Sequence, residues 1–178
     1  IFDVLRSHGA EESDLARHAG KSGFALPEFA RLGFNYRMTD LQAAIGVVQM
    51  GRLAGILEAR RALAARYDEE LSGLPGLRLP VEPGGYTHVY QSYVTFVEDG
   101  GDARDRLASA LEEKGVASRQ GTHAVHALRY YRDRYGLSPD DFPRAWAADR
   151  QSLTLPLFAG MTDEEHAHVV SVVRAAFA

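Results

Sequence analysis

Residues 33–53 read GFNYRMTDLQAAIGVVQMGRL, and this stretch decides how the rest of the chain is read. Thr39 followed three residues later by Gln42 has the form of a capping box. The threonine oxygen accepts the Gln42 amide and the glutamine side chain reaches back, so a helix is expected to begin at Asp40. Helix-compatible sequence without proline continues to Leu71. At 1.5 Å per residue this predicts a helix of roughly 45–50 Å. Leu41, Ile45 and Val48 start an apolar stripe, and Ile56, Leu63, Tyr67 and Leu71 continue it roughly in phase, with Arg52 as an interruption. A helix this long suits a spine crossing between two domains better than a small bundle. Ala43, Ala44 and Gly46 would let another element approach it closely.

Upstream, residues 1–8 are expected to end a helix stopped by Gly9. Residues 10–36 carry Gly20, Gly23, Pro27 and Gly33 and no sustained apolar period. A structureless stretch of that length is uncommon inside a compact domain and is usually functional or part of a larger fold. With Ile1 in place of a methionine, the chain is expected to open partway through a larger protein.

Downstream, Gly73, Pro75 and Gly76 end the helix. Leu77–Val81 reads as a strand, Pro83-Gly84-Gly85 as a turn, and Thr87–Val97 as the best strand in the chain. Asp102 is expected to cap a helix containing Leu107 and Leu111 and closed by Gly115. Val116–Arg119 reads as a strand, Pro143 opens a short helix carrying Trp146, and Leu153–Leu155 is a strand before Pro156. Thr162 and Glu165 form a second capping box, and Val169, Val170, Val173 and Phe177 give the last helix its buried face. The expectation is an α/β chain whose small domain is α+β: a small sheet with helices on one side.

Composition excludes several function classes. The 178 residues contain no cysteine, which removes disulfides, thiolate nucleophiles and cysteine-based zinc sites and suits a cytoplasmic protein. The net charge of −4 offers no basic excess for nucleic acid, and no apolar run approaches a membrane span of about 20 residues. Lys21 and Lys114 are the only lysines.

Two clusters could carry chemistry. Asn35, Tyr36 and Arg37 place an amide, a phenol and a guanidinium just before a capped helix start, where free N–H groups and the positive dipole end favour anions. The alternative is a loop whose polar groups satisfy local backbone. In the second cluster, Arg119, His123 and His126 precede Tyr130 and Tyr131. On a helix the two histidines would share a face, but no third metal ligand is evident, so no metal site is assigned. Hydrogen-bonded structure and contact with an anionic ligand both remain open there. His88 and Tyr90 are read as packing on one face of a strand. No paired acid and base, G-x-S-x-G, P-loop or H-E-x-x-H is present.

The run Gly33–Leu53 closely resembles G-[YF]-N-[YF]-R-x-[ST]-[DE]-x-Q-A-A-I-x-x-x-Q-x-x-x-L of the DegT/DnrJ/EryC/StrS-type sugar aminotransferases. Leu5–Gly9 is similar to their L-R-x-H-G. Arg60, Arg61 and Tyr67 fall where the long helix carries R-R and Y, and His88-Val89-Tyr90 begins their H-x-[YW] strand. Leu155-Pro156-Leu157 and Met161–Glu165 resemble the closing L-P-L and [LM]-T-D-E-[ED]. The likeness spans essentially the whole chain.

The resemblance implies the C-terminal part of a fold-type I enzyme that uses pyridoxal phosphate. It implies 1–38 as the tail of the large cofactor domain with an interface loop, 39–72 as a long linking helix, and 73–178 as the small domain. It implies a homodimer through the 33–53 region, with Asn35 binding the cofactor phosphate in the neighbouring subunit. Tyr36, Arg37, Arg119 and His126 would meet a nucleotide-linked sugar whose keto group receives an amino group from glutamate. Many members carry a histidine where Gly121 stands. The family's Schiff-base lysine lies in an S-F-x-x-x-K motif before L-R-x-H-G and is not among these residues; Lys21 has the wrong context. No catalytic residue is therefore assigned, and the chain alone is expected to be inactive and not to retain the cofactor. A sugar dehydratase of the same family, with histidine replacing the lysine, and a non-catalytic binding module are the alternatives.

Overall fold

The computed structural model describes residues 1–10, 29 and 31–177. Most of the irregular stretch expected over 10–36, with Lys21 and His18, lies outside the described residues. The chain divides into two compact units, Ile1–Arg52 and Leu53–Ala178.

In the first unit, helix α1 spans Phe2–Arg6. The chain after it pairs with residues 34–36. The His8 N–H donates to the Phe34 carbonyl (3.0 Å), the Phe34 N–H to Leu5 (2.7 Å), and the Tyr36 N–H to Arg6 (3.0 Å). Ser7 and Asn35 form an antiparallel bridge. Two glycines make this possible. A Cβ on Gly9 would lie 1.8 Å from the Arg31 carbonyl oxygen, and one on Gly33 would lie 2.0 Å from the Gly9 nitrogen. Gly9 also has φ +82°, which side chains disfavour. The glycines in L-R-x-H-G and G-F-N thus meet backbone to backbone.

Helix α2 spans Asp40–Leu71, as the capping box and breakers predict. The Thr39 N–H donates to Gln42 Oε1 (3.0 Å), and the Gln42 N–H to Thr39 Oγ1 (3.3 Å).

The second unit contains β1 (Leu77–Arg78), β2 (Tyr93–Val97), α3 (Gly101–Glu113), β3 (Arg119–Gln120), α4 (Arg129–Tyr135), α5 (Pro143–Gln151), β4 (Ser152–Leu155) and α6 (Asp163–Ala176). Short 3-10 turns occupy Val125–Ala127 and Pro139–Asp141. The sheet is antiparallel throughout, in the order β1-β2-β4-β3. Tyr93, Thr95 and Val97 of β2 are buried and alternate with half-buried residues, the period-two pattern of a covered sheet face. Helices α3 and α5 touch each other and the same two strands, β2 and β4, so they form one layer on the sheet. The core joins Leu63, Tyr67 and Leu71 of α2 to Tyr93, Leu107, Leu111, Leu153, Leu155 and Val173. Apolar burial of this kind contributes roughly 1.5–3 kcal/mol per large side chain.

Several boundaries differ from the sequence reading. Strand β1 stops at Arg78, short of Val81; Pro80 has no N–H to lend to a ladder. Strand β2 starts at Tyr93, six residues later than expected. Residues His88, Tyr90 and Gln91 give their carbonyls to arginines of α2, and Tyr90 sits at φ 45°. Asp102 is not the cap of α3. Gly100 occupies that position, and Asp102 lies in the first turn, 3.9 Å from Arg150. Strand β3 lies at Arg119–Gln120 because Val116 is used to close α3: its N–H donates to Leu111 (2.8 Å) beside Gly115 at φ 74°. Helix α4 was not expected. Its sequence RYYRDRY has no buried residue and therefore no apolar stripe to read.

The last helix matches its prediction. The Glu165 N–H donates to Thr162 Oγ1 (3.2 Å), and the Thr162 N–H to Glu165 Oε2 (2.8 Å). Val169, Val170 and Val173 are buried and Phe177 packs against the core.

Candidate functional site

The first cluster lies on extended backbone between the Ser7 bridge and the start of α2. Asn35 is exposed, and its carboxamide makes no hydrogen bond with any described residue. Tyr36 is 71% exposed, and its ring stacks on Phe34 at 5.1 Å, nearly parallel. Arg37 is exposed too. The backbone of this segment is already paired with residues 5–8, so local backbone does not consume the Asn35 amide. Phe34, Tyr36, Met38, Leu41 and Ile45, before and after it in the chain, are exposed among the described residues.

The second cluster is split by the fold. His123 is exposed, and His126 is buried on a 3-10 turn, so the two do not share a helix face. His126 packs against Phe142 at 4.9 Å, and its Nε2 lies 3.3 Å from the Pro139 carbonyl oxygen. This ties the two 3-10 turns together and leaves Nδ1 as the ring's remaining polar atom. Arg119 is exposed on β3 opposite Thr154 and lines a groove with Gln91, Ser92, Ser118 and Phe158. The sequence reading missed this groove, because its lining is drawn from three separate segments. Among the described residues, no group of three histidines, cysteines or carboxylates could hold a metal. Nor is any described helix long and apolar enough to cross a membrane.

Arg60 and Arg61 have a structural task. Arg60 Nη1 donates to the carbonyls of Tyr90 (2.9 Å), Gln91 (3.1 Å) and Leu157 (3.3 Å), and Arg61 Nε donates to that of His88 (3.1 Å). His88 and Tyr90 do pack together, with rings 4.4 Å apart, but on irregular backbone ahead of β2; the Tyr90 N–H donates to His88 Nδ1 (2.8 Å). The Tyr93 hydroxyl donates to Asp68 (2.5 Å) and the Tyr67 hydroxyl to the Pro156 carbonyl (2.9 Å). Burial raises the pKa of both phenols, which keeps them protonated donors. At Gly121, a Cβ would lie 2.5 Å from Val94 Cγ1 and 2.6 Å from Ser152 Oγ. Val94 and Ser152 occupy the space that a side chain at position 121 would need.

This architecture is the C-terminal portion of a pyridoxal-phosphate-dependent aminotransferase fold. Solved relatives include the aminotransferase TlmJ from Streptoalloteichus hindustanus, 30% identical, with a TM-score of 0.75 over 97% of this chain and 43% of that one. DesV of S. venezuelae, solved in complex with a ketimine intermediate, is 26% identical, with a TM-score of 0.80 over 97% of this chain and 42% of that one. By sequence, the spore coat polysaccharide biosynthesis protein SpsC of Bacillus subtilis (strain 168) is 30% identical over 96% of this chain and 44% of its own length. The chain thus spans less than half the length of the relatives it matches. Residues 1–174 match the family model of the DegT/DnrJ/EryC1/StrS aminotransferases, and the chain belongs to that family.

Proposed function

We propose that this chain is the C-terminal portion of an enzyme that uses pyridoxal phosphate to transfer an amino group from glutamate to a keto group of a nucleotide-linked sugar. The observation that carries the reading is the family match over residues 1–174, with the G-F-N-Y-R segment standing at an exposed helix entrance. Residues 1–38 would belong to the cofactor domain, 39–72 to the linking helix and 73–178 to the small domain. The exposed apolar surface around Asn35 and along the start of α2 supports a homodimer through residues 33–53.

The residues present fit one part of a cofactor site. Asn35 offers a carboxamide with no partner among the described residues, which can donate to a phosphate oxygen of the group held by the neighbouring subunit. When bound, the cofactor supplies the electron withdrawal that makes amino transfer possible. This chain's own residues bind and orient. Asn35 would hold the phosphate, and Arg37 and Tyr36 would face the substrate. His126 would offer Nδ1 from a fixed ring, and Arg119 would supply a cation from β3.

The test uses the enzyme with its preceding segment. Amine formation from glutamate and a keto-sugar nucleotide is expected, with Asn35→Ala weakening cofactor retention and Arg37→Ala mainly raising KM. Unchanged retention and kinetics in both variants would remove the site assignment. A product that has lost water without gaining nitrogen would replace amino transfer with dehydration.

A further inference from the structure

The groove beside Arg119 has a chemistry of its own. Its volume is about 300 Å³, the lower end for small-molecule sites. Its polar lining is Arg119, Gln91, Ser92, Ser118 and Thr154, with no carboxylate among them, in a chain whose net charge is −4. The Arg119 guanidinium makes no ion pair or hydrogen bond with any described residue. The Ser92 hydroxyl donates to Gln91 Oε1 (2.9 Å), which leaves the Gln91 amide hydrogens as donors. Leu155, Pro156, Leu157 and Phe158 make the other wall apolar.

The two walls are fixed to each other. Arg60 Nη1 reaches the carbonyls of Gln91 on one wall and Leu157 on the other, as well as that of Tyr90. Tyr90 is held in the left-handed region, φ 45°, a conformation that costs about 1–3 kcal/mol unless its surroundings enforce it.

We propose that this groove is a subsite for the carboxylate of an amino-acid-sized ligand. Arg119 is its cation, and Arg60 is a positioning residue that sets the wall. A planar guanidinium with adjacent donors matches a carboxylate, and the apolar wall accepts the ligand's aliphatic portion. The volume suits such a ligand and is small for a nucleotide-linked sugar. The identification of that ligand as the amino donor rests on the amino-transfer reading; the binding itself does not.

The experiment is a titration of the 178-residue chain with L-glutamate, followed by the backbone amide signals of Gln91, Ser118 and Gln120, with inorganic phosphate as a parallel arm. Saturable shifts with glutamate are expected. Arg119→Gln should weaken binding by roughly tenfold or more, the scale of a lost charged hydrogen-bond pair. Arg60→Lys keeps the charge but not the fork; it should move the Tyr90 and Gln91 signals before ligand is added and weaken glutamate binding as well. An unchanged Kd in Arg119→Gln, or no shift with glutamate, overturns the proposal. Tighter binding of phosphate at the same amides overturns the carboxylate assignment. Glutamate bound in the groove of an enzyme that forms no amine would defeat amino transfer and leave the subsite standing.

Discussion

The two halves of α2 carry similar apolar residues and meet opposite fates. In the first half Leu41, Ile45 and Val48 are 74%, 58% and 61% exposed; in the second Leu63, Tyr67 and Leu71 are 8%, 0% and 0% exposed. Helical periodicity selects a face, but not what covers it. The second half packs on its own unit's sheet and last helix. The first half presents the same kind of stripe as surface, next to the Asn35 segment.

The largest expected effect tests that contrast directly. Tyr67→Ala should cost about 3–5 kcal/mol in urea unfolding, because it empties a fully buried site. Leu41→Ala should stay within about 0.5 kcal/mol. Comparable losses in the two would mean that the first half is covered in the free protein.

Glycine substitution gives the next contrast. Gly121→Ala should destabilise by about 1–3 kcal/mol, since its Cβ would overlap Val94 and Ser152. Gly51→Ala, with nothing within 4 Å, should stabilise α2 by up to about 1 kcal/mol through helix propensity. A thermal-unfolding comparison reads both, and a destabilised Gly51→Ala would reveal a neighbour at the exposed half.

The two capping boxes provide a smaller effect. Thr162→Ala should lower global stability by about 1 kcal/mol. Thr39→Ala should instead speed hydrogen exchange of the first turn of α2, since that turn is exposed among the described residues. Equal global losses would erase the difference between the halves.

The smallest effect is a pH slope confined to the buried half. His166 is fully buried, its ring stacks on Tyr67 at 4.1 Å, and its Nδ1 lies 3.7 Å from a Glu70 carboxylate oxygen. Burial lowers its pKa below the ordinary 6.5; Arg66 adds to this, while Glu70, the Leu63 backbone and Asp163 oppose it. The unfolded chain therefore takes up the proton first. The stability of the neutral ring is fully present above pH 6.5 and is lost as pH falls from there through the lowered folded value. Urea midpoints should drop on mild acidification, and His166→Phe should flatten that drop. Coincident pH profiles for the two proteins would refute the assignment.

Legibility followed the range of the interactions. Both capping boxes, the full extent of α2, the buried valines of α6 and the strand before Pro156 were readable, because each depends on residues three or four apart or on proline chemistry. The length of β2 was not. Its first expected residues lost their carbonyls to Arg60 and Arg61, about thirty positions away. His166 looked like an ordinary residue of the last helix; the ring is stacked on Tyr67 of α2, about a hundred positions away. The Asn35, Tyr36 and Arg37 cluster was visible as a pattern. The closeness of Gly9 and Gly33, which holds its backbone in place, was not.

The sequence by itself determined both ends of α2, the start of α6, the absence of cysteine and the family signature, all properties of short runs of residues. Only the tertiary structure decided which half of the α2 stripe is core, where the sheet begins, and that the Arg119 guanidinium, unpaired among the described residues, lines a groove whose lining holds no carboxylate. Those outcomes depend on which distant side chains reach a given carbonyl, ring or cation first, and chain order does not encode that competition locally.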